Sequence, residues 1–332
     1  MLQSPEIEFY GQHIGLVVAE TFEQARHATH LINVTYEKRE PKVDFEKLAS
    51  EAVLPKDKEK ADAIRGDAKA ALSAATYKVE QVYATPIEHH HPLEPHATIA
   101  EWNGDHVTLY NSSQIVNGAQ TAAASTLNIK PEQVRIISPY IGGGFGSKGG
   151  QWANLVLAAI AAKQVNRPVK LALTRQQMVN SVGLRQRNFQ KVSLAATKDG
   201  KLTALAHEIT THSAIKNEFV EPCGDGSKIM YDVPNSLITY RVVPMNIILP
   251  TYTRGPGKST GSFALESAMD ELAYALKMDP IELRIKNEPA VIRPMESPGP
   301  LEQRFNACRQ GLKLLVGKNG RPSLARTSRG IT

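Results

Sequence analysis

Residues 134–163 read VRIISPYIGGGFGSKGGQWANLVLAAIAAK and contain the most informative pattern in the chain. The β-branched run Val134–Ile137 predicts a short strand, and the apolar run Trp152–Lys163 predicts a helix. Between them lies the first glycine loop, Gly142–Gly150, in which six of nine residues are glycine. Glycine lets backbone amides approach a bound group closely, and the following helix adds the positive end of its dipole. The stretch therefore predicts strand, loop and helix, with the loop as a candidate cofactor cradle.

Other interpretations of the glycine-rich segments stay open at this point. The first glycine loop lacks the spacing of a Walker A motif, and Phe145 does not suit a dinucleotide-binding GxGxxG loop. Taken alone, a glycine run is also typical of a flexible loop tip. A second glycine segment, Arg254–Gly261, precedes another predicted helix. There Arg254 could hold an anion with two hydrogen bonds, or the segment could be a plain turn.

A histidine cluster occupies residues 88–96, EHHHPLEPH. A zinc site is one interpretation, but the spacing fits no H-E-x-x-H helix, and Pro92 and Pro95 do not allow one. The other interpretation is a structural or pocket-lining role. We assign neither a metal ligand nor a catalytic residue from the sequence.

The rest of the chain alternates between hairpins and helices, which predicts an α+β or mixed α/β fold. The residues around Asp199-Gly200 are typical of a hairpin with a type I′ turn. The predicted strands are Thr76–Tyr83, Ala97–Trp102, His106–Tyr110, Pro168–Leu173, Asn188–Ala196 and Leu202–Thr210. The predicted helices are Ile115–Leu127, Phe263–Met278 and Ile281–Asn287, besides the one at 152–163.

The first forty residues predict a β-α-β unit that is too short to be a domain. Ile14–Glu20 and Asn33–Glu37 are the predicted strands, and Thr21 with Gln24 has capping-box spacing for a helix that ends near Leu31. Residues 41–70 are rich in both charges and contain no apolar period, which predicts a charged linker. The predicted division is therefore 1–40, the linker 41–70, a domain at 71–315 and a tail at 316–332.

Composition excludes several classes of protein. With 42% hydrophobic and 22% charged residues in 332, the chain is globular rather than disordered. The net charge of +6 comes from seven basic residues beyond position 302, where no acidic residue occurs, which predicts a solvated, disordered tail rather than a nucleic-acid-binding one. No apolar run is long enough for a membrane span, and two cysteines cannot hold an iron–sulfur cluster. With no visible signal peptide we expect a cytoplasmic protein, or a periplasmic one if a partner subunit carries it across.

Five segments together resemble the molybdopterin-binding large subunit of the xanthine dehydrogenase and aldehyde oxidase family, most of all the bacterial three-subunit aldehyde dehydrogenases. The likeness extends over roughly residues 10–312. The segments are GQHIGLVVAETFEQARHATHLINVTYE (11–37), EHHHPLEPHATIAEW (88–102), QIVNGAQTAAASTLNI (114–129), PYIGGGFGSKGG (139–150) and RGPGKSTGSFALESAMDELAYALKMDPIELR (254–284).

The resemblance implies roles for individual residues. Gln114 matches the glutamine that contacts the molybdenum oxo ligand, and Arg254 matches an arginine that contacts the cofactor. The loop beside the metal centre and the pterin corresponds to Gly143, Gly144, Phe145 and Gly146. Xanthine-specific members carry a glutamate where this chain has Gly149, which favours an aldehyde substrate over a purine. The second glycine segment carries Lys258 where relatives usually have an acidic residue.

The resemblance also implies the composition of the whole enzyme. We expect a partial hammerhead-like N-terminal region followed by a mixed α/β molybdenum-cofactor-binding domain, truncated at both ends relative to the family. The cofactor is expected as molybdopterin or its cytosine dinucleotide, with iron–sulfur clusters and FAD on partner subunits. The reaction is oxidation of a small aldehyde to a carboxylic acid with water as the oxygen source. The family's catalytic glutamate belongs to a C-terminal half that is missing here, so the alternative is a non-catalytic remnant or a split-gene half that only binds partner subunits.

Overall fold

The computed structural model describes residues 4–57, 60 and 62–289. The strands within these residues are β1 (Ala63–Arg65), β2 (Tyr77–Thr85), β3 (Ala97–Asn103), β4 (His106–Asn111), β5 (Val134–Ile137), β6 (Val169–Ala172), β7 (Asn188–Ala196), β8 (Leu202–Ala214) and β9 (Asn235–Met245). The α-helices are α1 (Phe22–His30), α2 (Phe45–Leu48), α3 (Ala68–Ala74), α4 (Val116–Leu127), α5 (Ala153–Val165), α6 (Arg175–Ser181), α7 (Asp225–Ile229), α8 (Lys258–Leu276) and α9 (Pro280–Lys286).

The strands form two separate sheets. The first has five strands in the order β1-β9-β8-β7-β2, and the second has four in the order β5-β4-β3-β6. Each sheet contains one parallel pair, β8 with β9 and β4 with β5, while the other neighbours are antiparallel. Mixed sheets with helices packed on them confirm the predicted α+β class with a mixed α/β domain.

Helix α8 packs against the five-stranded sheet and closes the larger core. The predicted helix is confirmed and carries an apolar stripe, in which Leu265, Met269 and Leu272 are fully buried against strand residues such as Leu194 and Leu205. The helix begins five residues earlier than predicted, at Lys258, directly after Gly257, whose φ of +67° is favourable for glycine.

Helix α5 covers the four-stranded sheet, and nine of its thirteen residues are buried. Leu155, Ala158 and Ala162 pack against the strands, and the Trp102 Nε1 of β3 donates a hydrogen bond to the carbonyl oxygen of Ala159 over 2.8 Å. The predicted strand–loop–helix order around the first glycine loop is confirmed, with β5 before the loop and α5 after it. A rigid sheet and helix therefore fix both ends of this loop.

Two strands predicted near the N-terminus are wrong. Residues 14–20 and 33–37 form no strand, although α1 between them has the predicted capping box of Thr21 and Gln24. A strand requires the hydrogen-bonding edge of another strand, and no described residue supplies one to either segment. Their apolar side chains, such as Ile14 and Val34, are accordingly exposed.

Part of the predicted charged linker is folded onto the first sheet. Phe45 of α2 is buried and stacks on Phe189 of β7 with 4.9 Å between ring centroids, and β1 pairs with β9. Sequence reasoning missed β9 itself, whose β-branched residues Ile238, Val242 and Val243 were the available signal. The division into domains stays a prediction, and the tail at 316–332 lies outside the described residues.

The predicted type I′ turn between β7 and β8 is also wrong. A type I′ turn needs positive φ at both central residues, but the positive φ in this turn falls on Gly200 (+86°) and not on Asp199. The loop spans residues 197–201 and includes a hydrogen bond from the Gly200 amide to the Thr197 carbonyl oxygen, 2.9 Å long. The longer loop accommodates an irregular register at Ala195 and Ala196.

We expect Leu194→Ala to lower the free energy of unfolding by about 2–5 kcal/mol, since it leaves a cavity in the larger core. Leu54→Ala is the matched control, because Leu54 is exposed and its truncation should change stability by less than about 0.5 kcal/mol. Denaturant unfolding followed by circular dichroism measures both. Equal losses in the two variants would contradict this assignment of the core.

Candidate cofactor site

Gln114 fastens the first glycine loop to the start of α4. Its side-chain Oε1 accepts hydrogen bonds from the backbone amides of Gly146 (3.0 Å) and Lys148 (3.2 Å). Gly144 lies so close that an added Cβ would be 2.4 Å from the same Oε1. Because the Oε1 atom of Gln114 already accepts bonds from the loop, the Nε2 group is the part of the side chain without a hydrogen-bond partner among the described residues. An amide NH₂ group can only donate hydrogen bonds.

The backbone of the loop leaves a row of amide donors available. Positive φ values occur at Gly143 (+85°), Phe145 (+55°) and Gly146 (+109°). Within the described part of the chain, the amides of Gly143, Gly144 and Phe145 have no hydrogen-bond acceptor. Successive amides in such a conformation form a concave anion-binding nest. The Gly146 amide is not part of this row, because it donates to Gln114 Oε1.

The second glycine segment meets the first loop through the backbone. The Arg254 amide donates a hydrogen bond to the Phe145 carbonyl oxygen over 2.9 Å. At Gly146 an added Cβ would be 2.0 Å from the carbonyl oxygen of Tyr252, so only glycine fits there. Gln114, the first glycine loop and Arg254 therefore come together from three distant segments of the chain. The Arg254 side chain is exposed and makes no ion pair within the described residues.

A buried lysine at the end of the first glycine loop forms an ion pair with Glu94. The Lys148 side chain is fully buried, and its Nζ lies 2.6 Å from Glu94 Oε2 and 3.1 Å from Ser112 Oγ. The same Glu94 oxygen accepts hydrogen bonds from Ser112 Oγ (2.6 Å) and the Gly142 amide (2.9 Å). Partial burial alone would raise the pKa of the Glu94 carboxyl, but the hydrogen bonds from Lys148, Ser112 and Gly142 outweigh it and lower the pKa to about 2.

Sequence reasoning missed this ion pair. The sequence did contain an indication of it, namely a lysine inside a glycine loop. Such a lysine is not on a solvated helix face, so its ammonium group must bind a ligand or pair with an acidic residue of the chain. Which acid would pair with Lys148 was not visible, since Glu94 is 54 residues away along the chain.

Two of the clustered histidines contact residues in or next to the two glycine segments. The Nε2 atom of His90 lies 2.8 Å from the Tyr252 carbonyl oxygen and 2.9 Å from Thr253 Oγ1, and His96 Nε2 lies 3.4 Å from the Ser147 carbonyl oxygen. Burial lowers the pKa of His96 to about 4, which keeps its ring neutral. No group of three or more possible metal ligands occurs among the residues that the structure describes.

Two protein-family models match this chain. The model described as "Molybdopterin cofactor-binding domain" matches residues 53–288, and "Aldehyde oxidase and xanthine dehydrogenase, a/b hammerhead domain" matches residues 1–40. The first match covers well over half of the sequence. The fold and the glycine loops thus define a cofactor-binding domain of the molybdenum hydroxylase type. The chain belongs to the molybdopterin cofactor-binding domain family of aldehyde oxidases and xanthine dehydrogenases, as its motifs predicted.

Several characterised proteins are similar to this chain. The aldehyde oxidoreductase molybdenum-binding subunit PaoC of Escherichia coli O157:H7 is 39% identical over 290 residues, which is 87% of this chain and 39% of that protein. The nicotine 6-hydroxylase large subunit of Paenarthrobacter nicotinovorans is 27% identical over 86% of this chain and 37% of that protein. The structure of the aldehyde oxidoreductase from Desulfovibrio gigas matches with a TM-score of 0.78 at 25% identity, covering 90% of this chain and 35% of that one. The chain therefore spans well under half of the length of these relatives.

We expect Glu94→Gln to destabilise the protein by about 1–2 kcal/mol at neutral pH, because it leaves Lys148 buried without a charged partner while the half-exposure of Glu94 screens the pair. A lowered pKa stabilises the fold above the ordinary carboxyl value of 4.5, and the effect is lost as the pH falls toward 2. The difference between the variant and the parent should therefore shrink over that interval.

Unfolding by denaturant at a series of pH values measures this dependence. Glu101→Gln is the control, since Glu101 is an exposed residue of the neighbouring strand β3. A difference that stays constant from pH 7 to pH 3 would show that Glu94 does not act through its charge.

We expect Gly144→Ala to displace the Gln114 side chain and to cost about 1–3 kcal/mol, because the added methyl overlaps Oε1. Amide hydrogen exchange at residues 144–148 should accelerate, since Gln114 would release two amides. Gly150→Ala serves as the control within the same loop, where the new Cβ would meet the Trp152 ring at an ordinary 3.9 Å. Equal behaviour of the two variants would refute the packing described at Gly144.

Proposed function

We propose that this chain provides the molybdenum-cofactor-binding part of an oxidoreductase that converts aldehydes into carboxylic acids. The observation that carries the proposal is the convergence of two glycine segments and Gln114 on a set of donors without internal acceptors. These donors are the amides of Gly143, Gly144 and Phe145 together with Gln114 Nε2. Family membership supports the same assignment.

The donor set fits the cofactor chemically. The oxo ligands and phosphate of a molybdopterin accept hydrogen bonds, and the site presents N–H groups and the cation of Arg254. We propose that Gln114 donates to an oxo ligand, that the first glycine loop lies along the cofactor, and that Arg254 contacts it from the second glycine segment. When bound, the molybdenum centre supplies an oxygen atom originating from water and accepts two electrons from the substrate. The proposed cofactor is molybdopterin or its cytosine dinucleotide.

The proposed substrate class rests on one residue and on similarity. Gly149 stands where xanthine-specific members carry a glutamate, so this chain offers no carboxylate for a purine at that place. A relative named as an aldehyde oxidoreductase subunit is 39% identical, whereas one named as a nicotine hydroxylase subunit is 27% identical. We therefore propose a small aldehyde as the substrate.

Catalysis is proposed to need groups beyond the described residues. Glu94 is the carboxylate bonded to the first glycine loop, but with a pKa of about 2 it is a poor proton acceptor near neutral pH. Oxidation of an aldehyde by water releases two electrons and two protons, and the chain's two cysteines cannot hold an iron–sulfur cluster to conduct the electrons. We propose that a further protein segment supplies the base and that iron–sulfur and FAD subunits carry the electrons.

The alternative is a chain that binds partner proteins without carrying the cofactor. Large apolar side chains exposed around the first glycine loop favour some covering partner, since such patches on a soluble protein usually mark contact sites. The most exposed of them are Leu93 and Tyr140, at 88% and 82% of their full accessible surface.

The test is expression of the chain in a host that makes the cofactor, with molybdenum measured by mass spectrometry and pterin by fluorescence after oxidation. We expect molybdenum above the level found in a cofactor-deficient host. Gln114→Ala and Arg254→Ala should each lower the occupancy about tenfold, because each removes a hydrogen-bond donor to the cofactor. Arg135→Ala, on the exposed face of β5, should leave occupancy unchanged.

Activity is measured on the same preparations with an aromatic aldehyde, xanthine or nicotine and an artificial electron acceptor. We expect no turnover by the lone chain, and oxidation of the aldehyde alone once both the segment that supplies the base and the partner subunits are present. A parent chain with no more molybdenum than in the deficient host would refute cofactor binding and favour the partner-binding alternative. Steady turnover by the lone chain would refute the proposed need for an outside base.

A further inference from the structure

A buried arginine lies directly behind the two glycine segments and is not explained by cofactor contact. Arg185 follows α6, just before β7, and only 5% of its surface is exposed. Its backbone forms an isolated antiparallel bridge with Glu88, through hydrogen bonds of 2.8 and 3.3 Å. The bridge holds the Arg185 main chain beside the histidine-rich segment, so that its side chain is anchored at its base.

The guanidinium of Arg185 connects three other parts of the chain. Its Nε donates to Glu221 Oε1 (3.0 Å) and its Nη1 to Glu88 Oε2 (2.6 Å). Its Nη2 donates to the backbone carbonyl oxygens of Thr253 (3.0 Å) and Arg254 (2.6 Å). The last two bonds fix the peptide groups at the start of the second glycine segment. One of them is made by Arg254, the residue whose amide donates to the Phe145 carbonyl oxygen.

Glu221 binds the backbone of the same segment further along, at Gly257. Its Oε1 accepts the Gly257 amide over 2.9 Å in addition to the Arg185 Nε, and the carboxylate is almost completely buried. At Gly257 an added Cβ would lie 2.2 Å from the Pro222 carbonyl oxygen. The start of α8 is therefore pressed against the residues that follow Glu221, which leaves the segment between Arg254 and Gly257 held at both ends.

We infer that the buried pair Arg185–Glu221 positions the backbone of the second glycine segment against Phe145 and thereby sets the shape of the cofactor site. Neither side chain is a catalytic residue, because both lie behind the loops. The consequence for cofactor retention rests on the proposed function, whereas the positioning itself is a property of this chain.

The role depends on the shape of the guanidinium rather than on its charge. Arg185 directs four hydrogen bonds in one plane toward two carboxylates and two carbonyl oxygens, and a lysine ammonium cannot reproduce that fork. Arg185→Lys therefore keeps the positive charge but loses the bonds to the backbone of Thr253 and Arg254. A matched control exists at Arg284 of α9, another buried arginine, which pairs with Glu266 (2.6 Å) and Asp270 (2.8 Å) away from both glycine segments.

The experiment compares amide hydrogen exchange in the full chain carrying Arg185→Lys, the chain carrying Arg284→Lys, and the parent. In Arg185→Lys we expect exchange about tenfold faster at the hydrogen-bonded amides of the two glycine segments, since opening there no longer breaks the Arg185 bonds. These amides are those of Arg254, Gly257, Gly146 and Ser147. In Arg284→Lys we expect faster exchange at 280–287 and parental rates at the two glycine segments. If Arg185→Lys does not fold, Glu221→Gln provides the same comparison, with the effect expected at residues 256–259.

Parental exchange rates at 253–258 in Arg185→Lys, or the same acceleration there in Arg284→Lys, would overturn the inference. Molybdenum content is measured on the same samples and distinguishes this result from the proposed function. A parent chain without molybdenum but with the expected exchange pattern would refute cofactor binding and leave the positioning role intact. A parent chain that contains molybdenum, together with parental exchange rates in Arg185→Lys, would support cofactor binding and refute the positioning role.

Discussion

The close contact between the backbones of two glycine segments determines the geometry of this site. Gly146 lies against the Tyr252 carbonyl oxygen with no room for a side chain, and two residues beyond Tyr252 the Arg254 amide donates a hydrogen bond to the Phe145 carbonyl oxygen. Such an approach brings four peptide groups together, and each must find a hydrogen-bonding partner when it is buried. The contact can form only because the first loop is held between β5 and α5 and the second leads directly into α8, so that both sheets contribute to one site.

Buried charge on either side of this contact makes it rigid. The Lys148 ammonium with Glu94 lies beneath the first loop, and the Arg185 guanidinium with Glu221 lies behind the second. Removing one member of such a pair leaves the other charge without compensation inside the protein, which costs far more than the net contribution of the pair to stability. These pairs therefore make displaced loop conformations unfavourable, and this matters more for a binding site than added stability does.

Local sequence signals predicted most of the elements but not their assembly. The capping box at Thr21, the stripe on α8 and the hairpins all depend on neighbours within a few residues, so that periodicity was sufficient to find them. The strands predicted at 14–20 and 33–37 failed because pairing is a property of two segments, and neither finds an edge among the described residues. Roles for Gln114, Phe145 and Arg254 were implied by a family resemblance. The ion pairs at Lys148 and Arg185 join residues 36 to 97 positions apart and left no local pattern.

The balance of charge around the site indicates what kind of group it accommodates. Lys148 is neutralised by the carboxylate of Glu94, whose pKa is lowered to about 2, and Arg185 forms ion pairs with Glu88 and Glu221. Lys148 and Arg185 are thus unavailable to a ligand. What the described residues offer at the loops includes the amide row of the first glycine loop, Gln114 Nε2 and the exposed cations Arg254 and Lys258. Every one of these groups donates hydrogen bonds or carries positive charge, so a bound group must be rich in acceptor oxygens or nitrogens. A pterin with oxo and phosphate groups has this character. An unmodified aldehyde has a single acceptor, so these donors are better suited to hold a cofactor than a substrate.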